Sequence, residues 1–123
     1  MAAPTVTSNQ TLHASASLGA GANTSDNLDI RTKFEARIQV KNTGGGTVAA
    51  TNGLQIDVFR YVDGGTRKDT IAIMTFTIPT SVSTEKEQSF SLPTGHYNVK
   101  ATNLDASNAI TYDALYETTD TVA

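Results

Sequence analysis

From Leu28 to Val40 the chain alternates without interruption. Leu28, Ile30, Thr32, Phe34, Ala36, Ile38 and Val40 fall in one phase, and Asp29, Arg31, Lys33, Glu35, Arg37 and Gln39 in the other. Successive side chains of a β-strand point to opposite faces, so this run has one apolar face and one charged face. A helix of 3.6 residues per turn would scatter the same apolar positions around its axis. At about 3.3 Å per residue the run spans roughly 40 Å, against a radius of gyration near ~14 Å for a compact chain of this size. The strand must bend, pass from one sheet to another, or project toward a partner. It predicts an antiparallel sandwich with this run as its longest strand.

Weaker alternation continues downstream. Leu54, Ile56 and Val58 alternate with Gln55, Asp57 and Phe59. Phe59 and Tyr61 share the outer phase there, which calls for coverage by another segment or a partner. Asp63-Gly64-Gly65 is a hairpin signal, since glycine tolerates the positive φ of tight turns. Between Asp69 and Ile78, Ile71 and Ile73 hold one phase and Met74, Phe76 and Ile78 the other, which implies a bulge or burial on both faces. Pro79 ends that strand. Glu87 to Leu92, His96 to Thr102 and Ile110 to Glu117 complete a set of about seven strands, with no helix. The expected inward set is Ile30, Phe34, Ile38, Ile56, Val58, Phe76, Phe90, Leu92, Tyr97 and Val99.

Residues 1–26 read differently. Ala14 to Asn23 is almost entirely Ala, Ser and Gly. Such chain buries too little apolar area to offset an ordering cost of ~1–2 kcal/mol per residue unless it lies on something else. The expectation is an N-terminal arm, 1–26, docked on the domain edge or on a neighbouring subunit, and a sandwich domain, 27–123. A frayed tail plus an edge strand is the plainer alternative.

Composition narrows the function classes. The 123 residues are 38% hydrophobic and 17% charged with a formal charge of −3, which fits one folded domain and not a disordered chain. The acidic balance argues against nucleic acid, whose phosphates need clustered Lys and Arg. There is no cysteine, which leans toward cytosolic folding or toward stability gained by association. The N-terminus lacks the basic and apolar regions of a signal peptide. No apolar run approaches the ~20 residues that span a bilayer.

The segment Phe90-Ser91-Leu92-Pro93-Thr94-Gly95-His96-Tyr97-Asn98-Val99 resembles the corner of many immunoglobulin-like sandwiches. That resemblance implies an immunoglobulin-like fold with Tyr97 as a tyrosine-corner residue, its hydroxyl bonding back to nearby backbone. Three stretches, Ala16 to Asn23, Leu28 to Ala36 and Leu92 to Ala106, resemble the small β-sandwich virion proteins that decorate or cement tailed-bacteriophage capsids. This second resemblance implies a structural protein of the virion, made in the host cytoplasm. It also implies self-association and attachment to the major capsid protein or another virion component.

Catalytic chemistry is hard to find. His13 and His96 are the only histidines and have neither metal nor triad spacing. No phosphate-binding or nucleophile-elbow motif occurs. Asn103, Asp105 and Asn108 offer oxygens that a calcium ion would accept, but such residues more commonly bond their own backbone in a loop. The chain is therefore expected to be a non-enzyme without cofactor. Its candidate interface residues are Leu18, Asp29, Arg31, Lys33, Glu35, Arg37, Phe59 and Tyr61. The alternatives are a carbohydrate-binding or adhesin-like module, whose aromatic rings would stack on sugars, or a head–tail or tail component.

Overall fold

The computed structural model describes residues 5–44, 52–63, 66–79 and 85–120. They form eight strands: β1 (Val6–Leu18), β2 (Asn23–Asp29), β3 (Lys33–Gly44), β4 (Leu54–Arg60), β5 (Met74–Ile78), β6 (Glu85–Pro93), β7 (His96–Asn103) and β8 (Ile110–Asp120). One sheet has the order β1-β8-β3-β6 and the other β2-β7-β4-β5. All pairings are antiparallel.

The order has a simple origin. β1 pairs with β8, β2 with β7, β3 with β6 and β4 with β5, as if the chain were one long hairpin folded at the β4–β5 connection. The hairpin is then rolled, so that β8 meets β3 and β7 meets β4. Only the β4–β5 connection stays within a sheet, and every other one crosses the sandwich. The expected antiparallel sandwich is present. Its eight-strand order is that of a jelly roll, instead of the seven-strand ABED/CFG arrangement of immunoglobulin domains.

Rolling also explains the long alternating run. It is two strands in different sheets, β2 and β3, joined by a turn in which the Lys33 N–H donates to the Ile30 carbonyl. Of the three ways to accommodate the run, the chain passes between sheets. The longest strand is instead β1, with 13 residues. Leu28 and Ile30 point inward before the turn, and Ala36, Ile38 and Val40 after it. Phe34 keeps the inward parity but starts β3 beyond the end of the core, where it is 61% exposed. Its expected place in the core is therefore corrected. Phe76 is only partly buried, edge-on to Phe90 at 5.3 Å.

The other inward residues lie in one cluster that fills the space between the sheets. Leu18 belongs to that cluster, and Leu12 and Ala22 pack against it. The expected arm is thus part of the sandwich over its described residues, and a boundary at residue 26 would cut β2 in two. Val6 to Leu18 gains its order from backbone pairing with β8, along a ladder interrupted by three register shifts.

At the β6–β7 corner the Tyr97 hydroxyl donates to the Pro93 carbonyl at 2.8 Å. The Tyr97 ring is fully buried and lies against Gly95. A Cβ at position 95 would sit 2.9 Å from the phenol oxygen and 3.0 Å from Cζ. Gly95 is needed here for space. Tyr97→Phe should cost ~1–3 kcal/mol, because it strands a carbonyl beside the core. Gly95→Ala should cost at least as much by pushing the phenol off Pro93. Since both changes break one contact, urea melts of the double variant should show clearly less than additive loss.

Candidate interaction surfaces

The outer face of the β2-β7-β4-β5 sheet is ordered in rows by its register. Asp29 lies opposite His96, Asn27 opposite Asn98, which in turn faces Phe59, and Ser25 opposite Lys100, which faces Asp57. The Tyr61 hydroxyl and the Asn98 amide both donate to Asn27 Oδ1, each at 3.0 Å. Lys68 arrives from the β4–β5 connection through a single bridge to Tyr61. Its ammonium donates to Asn98 Oδ1 at 3.3 Å and stands 5.0 Å over the Phe59 ring. Tyr61 packs on His96 at 4.8 Å. Both candidate aromatics are thus on this face as expected, and both rings already have partners within the chain.

The outer face of the other sheet is mixed in charge. Arg37 lies between Glu117 and Ser91, and Glu35 between Thr119 and Pro93. Arg37, Gln39, Ser89, Leu115, Tyr116 and Glu117 line an open depression of about 340 Å³ with Asn9, which adopts a φ of 58° in the first irregular part of β1. Lys33 is tied to Asp120 at 2.5 Å. Of the eight candidate interface residues, Leu18 is withdrawn from the surface altogether, because it is core. The remaining seven fall on both outer faces and on the β2–β3 turn, so the structure does not gather them into one site.

At that turn Arg31 grips the Asp29 carboxylate with two hydrogen bonds, Nε at 2.9 Å and Nη2 at 2.7 Å. Both side chains are about half exposed. The Arg31 hydrogen bond holds the Asp29 carboxyl at about 2, below its ordinary 3.8.

Two further arrangements stand out, the first without a signal in the sequence and the second expected there as a loop that bonds its own backbone. His13 Nδ1 lies 2.9 Å from Asp26 Oδ2, and its ring stacks on Tyr112 at 4.2 Å with planes 4° apart. This contact joins β1 of one sheet to β2 of the other. Burial, with the nearby Asp26 carboxylate, pushes the Tyr112 phenol above its ordinary range. No sequence spacing signals the trio, since it is assembled by strand pairing. The second is the β7–β8 loop. Asn103 is fully buried and donates to the carbonyls of Leu18, Gly19 and Asn108. Asp105 Oδ1 accepts the N–H groups of Ser107 and Asn108. The oxygen donors considered for calcium are therefore engaged in closing their own loop. Among the described residues no group of three His, Asp or Glu side chains could hold a metal.

No protein-family model and no curated protein matches the chain. Solved structures do match its fold. A subunit of the Bacillus endospore appendages, described as disulfide-linked pili, aligns over 99% of this chain and 93% of its own, with 14% identity and a TM-score of 0.58. A family 35 carbohydrate-binding module from Clostridium thermocellum aligns over 94% and 98%, with 11% identity and a TM-score of 0.51. Part of tripeptidyl peptidase 2 aligns over 85% of this chain and 9% of its own, with 7% identity and a TM-score of 0.57. At such identities the likeness is one of β-sandwich fold.

The Asp29–Arg31 pair gives a direct electrostatic test. A carboxyl held below its unfolded value adds stability above pH ~4 that disappears as pH falls through ~2. Being exposed, the pair is screened by salt and contributes little in total. An NMR titration should place the Asp29 midpoint near 2, and Arg31→Ala should return it toward 3.8.

Proposed function

We propose that this chain is a non-catalytic structural module that docks end-on against a larger protein assembly. The observation that carries this reading is where its exposed hydrophobic side chains lie. Val6, Phe34, Val62, Ile71, Ile73, Leu104 and Leu115 are the large exposed ones among the described residues. Strand direction brings the first five to one end. That end is made by the start of β1, the β2–β3 turn, the β4–β5 connection, the β6–β7 turn and the close of β8. These segments are tied together there, Val6 facing Thr119, the Ile30 N–H donating to Gly95 and the Tyr61 N–H to His96. The same five are 51–81% exposed, whereas Leu104 and Leu115 are each 38% exposed. Single exposed apolar side chains are ordinary, but a concentration of them marks a contact surface.

Two lines agree with this reading. The sequence resembles virion decoration proteins, and the fold is shared along nearly its whole length with a pilus subunit. A virion or a surface fibre would both offer the repeating protein lattice that such an end could meet. The disulfide linkage of those pili is not open to this chain, which has no cysteine.

A second reading, a carbohydrate-binding module, draws on the likeness to the family 35 module and on Phe59 and Tyr61 on an outer face. Sugar stacking needs a free ring face, and here Lys68 and His96 stand on those rings.

The triple variant Phe34→Ser, Ile71→Ser, Ile73→Ser should fold as the wild type does, since exposed positions change stability by about 0.5 kcal/mol or less each. Made in the native host, it should be lost from the particle or fibre that carries the wild-type protein, as read by immunogold labelling. A wild-type protein that labels no assembly but binds polysaccharides in calorimetric titration would replace this reading with the second one.

A further inference from the structure

Each sheet of an open sandwich leaves two edges whose backbone N–H and C=O groups could pair with another strand, and proteins guard such edges. Three of the four are guarded here. β1 has three register shifts and the left-handed Asn9. β5 is only five residues long and is followed by Pro79. β6 carries Lys86 and Glu87, both exposed, and ends on Pro93. β2 is the least guarded, its one device being the inward-facing Asp26, whose carboxylate lies 2.9 Å from His13 Nδ1. It pairs with β7 over seven positions without a shift, contains no Pro, Lys or Arg, and its outward charge at Asp29 is neutralised by Arg31.

The free groups of β2 can be assigned. The Ile30 N–H donates to Gly95, and the Ala22 carbonyl accepts from Asn103, so both face the β7 side. Backbone groups in an antiparallel ladder alternate in direction from one residue to the next. Thr24, Asp26 and Leu28 therefore face β7 as well, and Asn23, Ser25, Asn27 and Asp29 turn their N–H and C=O groups away from the sheet.

We propose that β2 pairs with β2 of a second copy of this chain, antiparallel and about a two-fold axis at Asp26. The four outward residues are placed symmetrically around that position. Asn23 then meets Asp29 of the second copy and Ser25 meets its Asn27. Each such pair exchanges two hydrogen bonds. The least guarded edge among the described residues finds a match in its own two-fold-related copy, and a two-fold contact closes without further growth. The one cost is Asp26 facing Asp26, and His13 draws that carboxylate to the β1 side at 2.9 Å.

The pairing has a structural consequence. Antiparallel β2 strands point the two apolar ends in opposite directions, so the dimer could bridge two sites of an assembly. That consequence rests on the function proposed above, whereas the pairing itself does not.

The test uses the whole chain in solution. Sedimentation should show a dimer that dissociates on dilution. Amide exchange followed by NMR should show Asn23, Ser25, Asn27 and Asp29 becoming protected as concentration rises, by at least tenfold. Ser25→Pro removes an outward N–H and no bond to β7, so it should abolish the dimer and leave the melting temperature nearly unchanged. Thr24→Pro, which breaks the ladder, should lower it strongly. As the chain lacks cysteine, Asp26→Cys should cross-link to a covalent dimer under mild oxidation, because facing positions of this type lie within disulfide reach. A wild type that stays monomeric with those four amides exchanging freely at every concentration overturns the pairing. So does a dimer that Ser25→Pro does not disturb. Either result leaves the end-on docking reading standing, since that depends on the Phe34, Ile71 and Ile73 variants.

Discussion

Closure of the roll, β8 against β3 and β7 against β4, is the constraint on which the rest of this molecule depends. Without those two ladders the chain is a folded-over hairpin with one apolar side and nothing to bury it against. With them the apolar phases of all eight strands meet in one core, in which Ile38, Ile56, Val58 and Ile110 have no exposed surface. The pairings are long-range by construction, since β1 must find β8 and β3 must find both β6 and β8. Contacts of such high sequence separation carry a loop-closure cost before they reward it, so the fold belongs to the slower class of small domains.

The two ends of the roll are finished in opposite ways. At the β7–β8 end, buried polar side chains tie the connections together. Asn103 gathers three carbonyls, and the Asn42 amide reaches the carbonyls of Ile78 and Pro79. The Asn103 amide is bonded on both its nitrogen and its oxygen, which fixes the connections around it, whereas Asn42 bonds through its nitrogen and its Oδ1 is buried without a partner among the described residues. At the other end the Tyr97–Pro93 bond fixes the corner, but apolar side chains on the surrounding segments face solvent. The asymmetry leaves one end closed by polar bonds and the other with apolar side chains in solvent.

Much of the fold was legible because burial imposes period two on any strand with one wet face. The runs at Ile38 and Val40, at Ile56 and Val58, and at Tyr97 and Val99 read correctly for that reason. The run's length called for a break, but its position was invisible, since Arg31 and Thr32 keep the alternation while the chain changes sheets. Phe34 shows the limit of parity, which gives the face of a residue but not its distance from the end of the core. β1 showed only weakly, as an edge strand, because of its composition. Ser, Thr and Ala at its exposed positions say little about a strand held by backbone pairing with β8. The trio of His13, Asp26 and Tyr112 depends on pairings that cross both sheets, and residue spacing carries no record of them.

Edge protection supplies a last piece of logic. A sandwich that had only to remain a monomer would be expected to treat its edges alike, since one unguarded strand suffices for aggregation. Here the longest edge strand, the 13-residue β1, is broken three times. Its neighbour at the same side of the sandwich, β2, is regular and rich in small polar residues. Irregularity in β1 twists it away from a flat approach, while His13 bonds across to Asp26 and keeps β1 seated beside β2. In the proposed pairing, an edge poor in hydrophobic surface would gain its specificity from register and hydrogen bonds, with apolar contact left to the end of the sandwich.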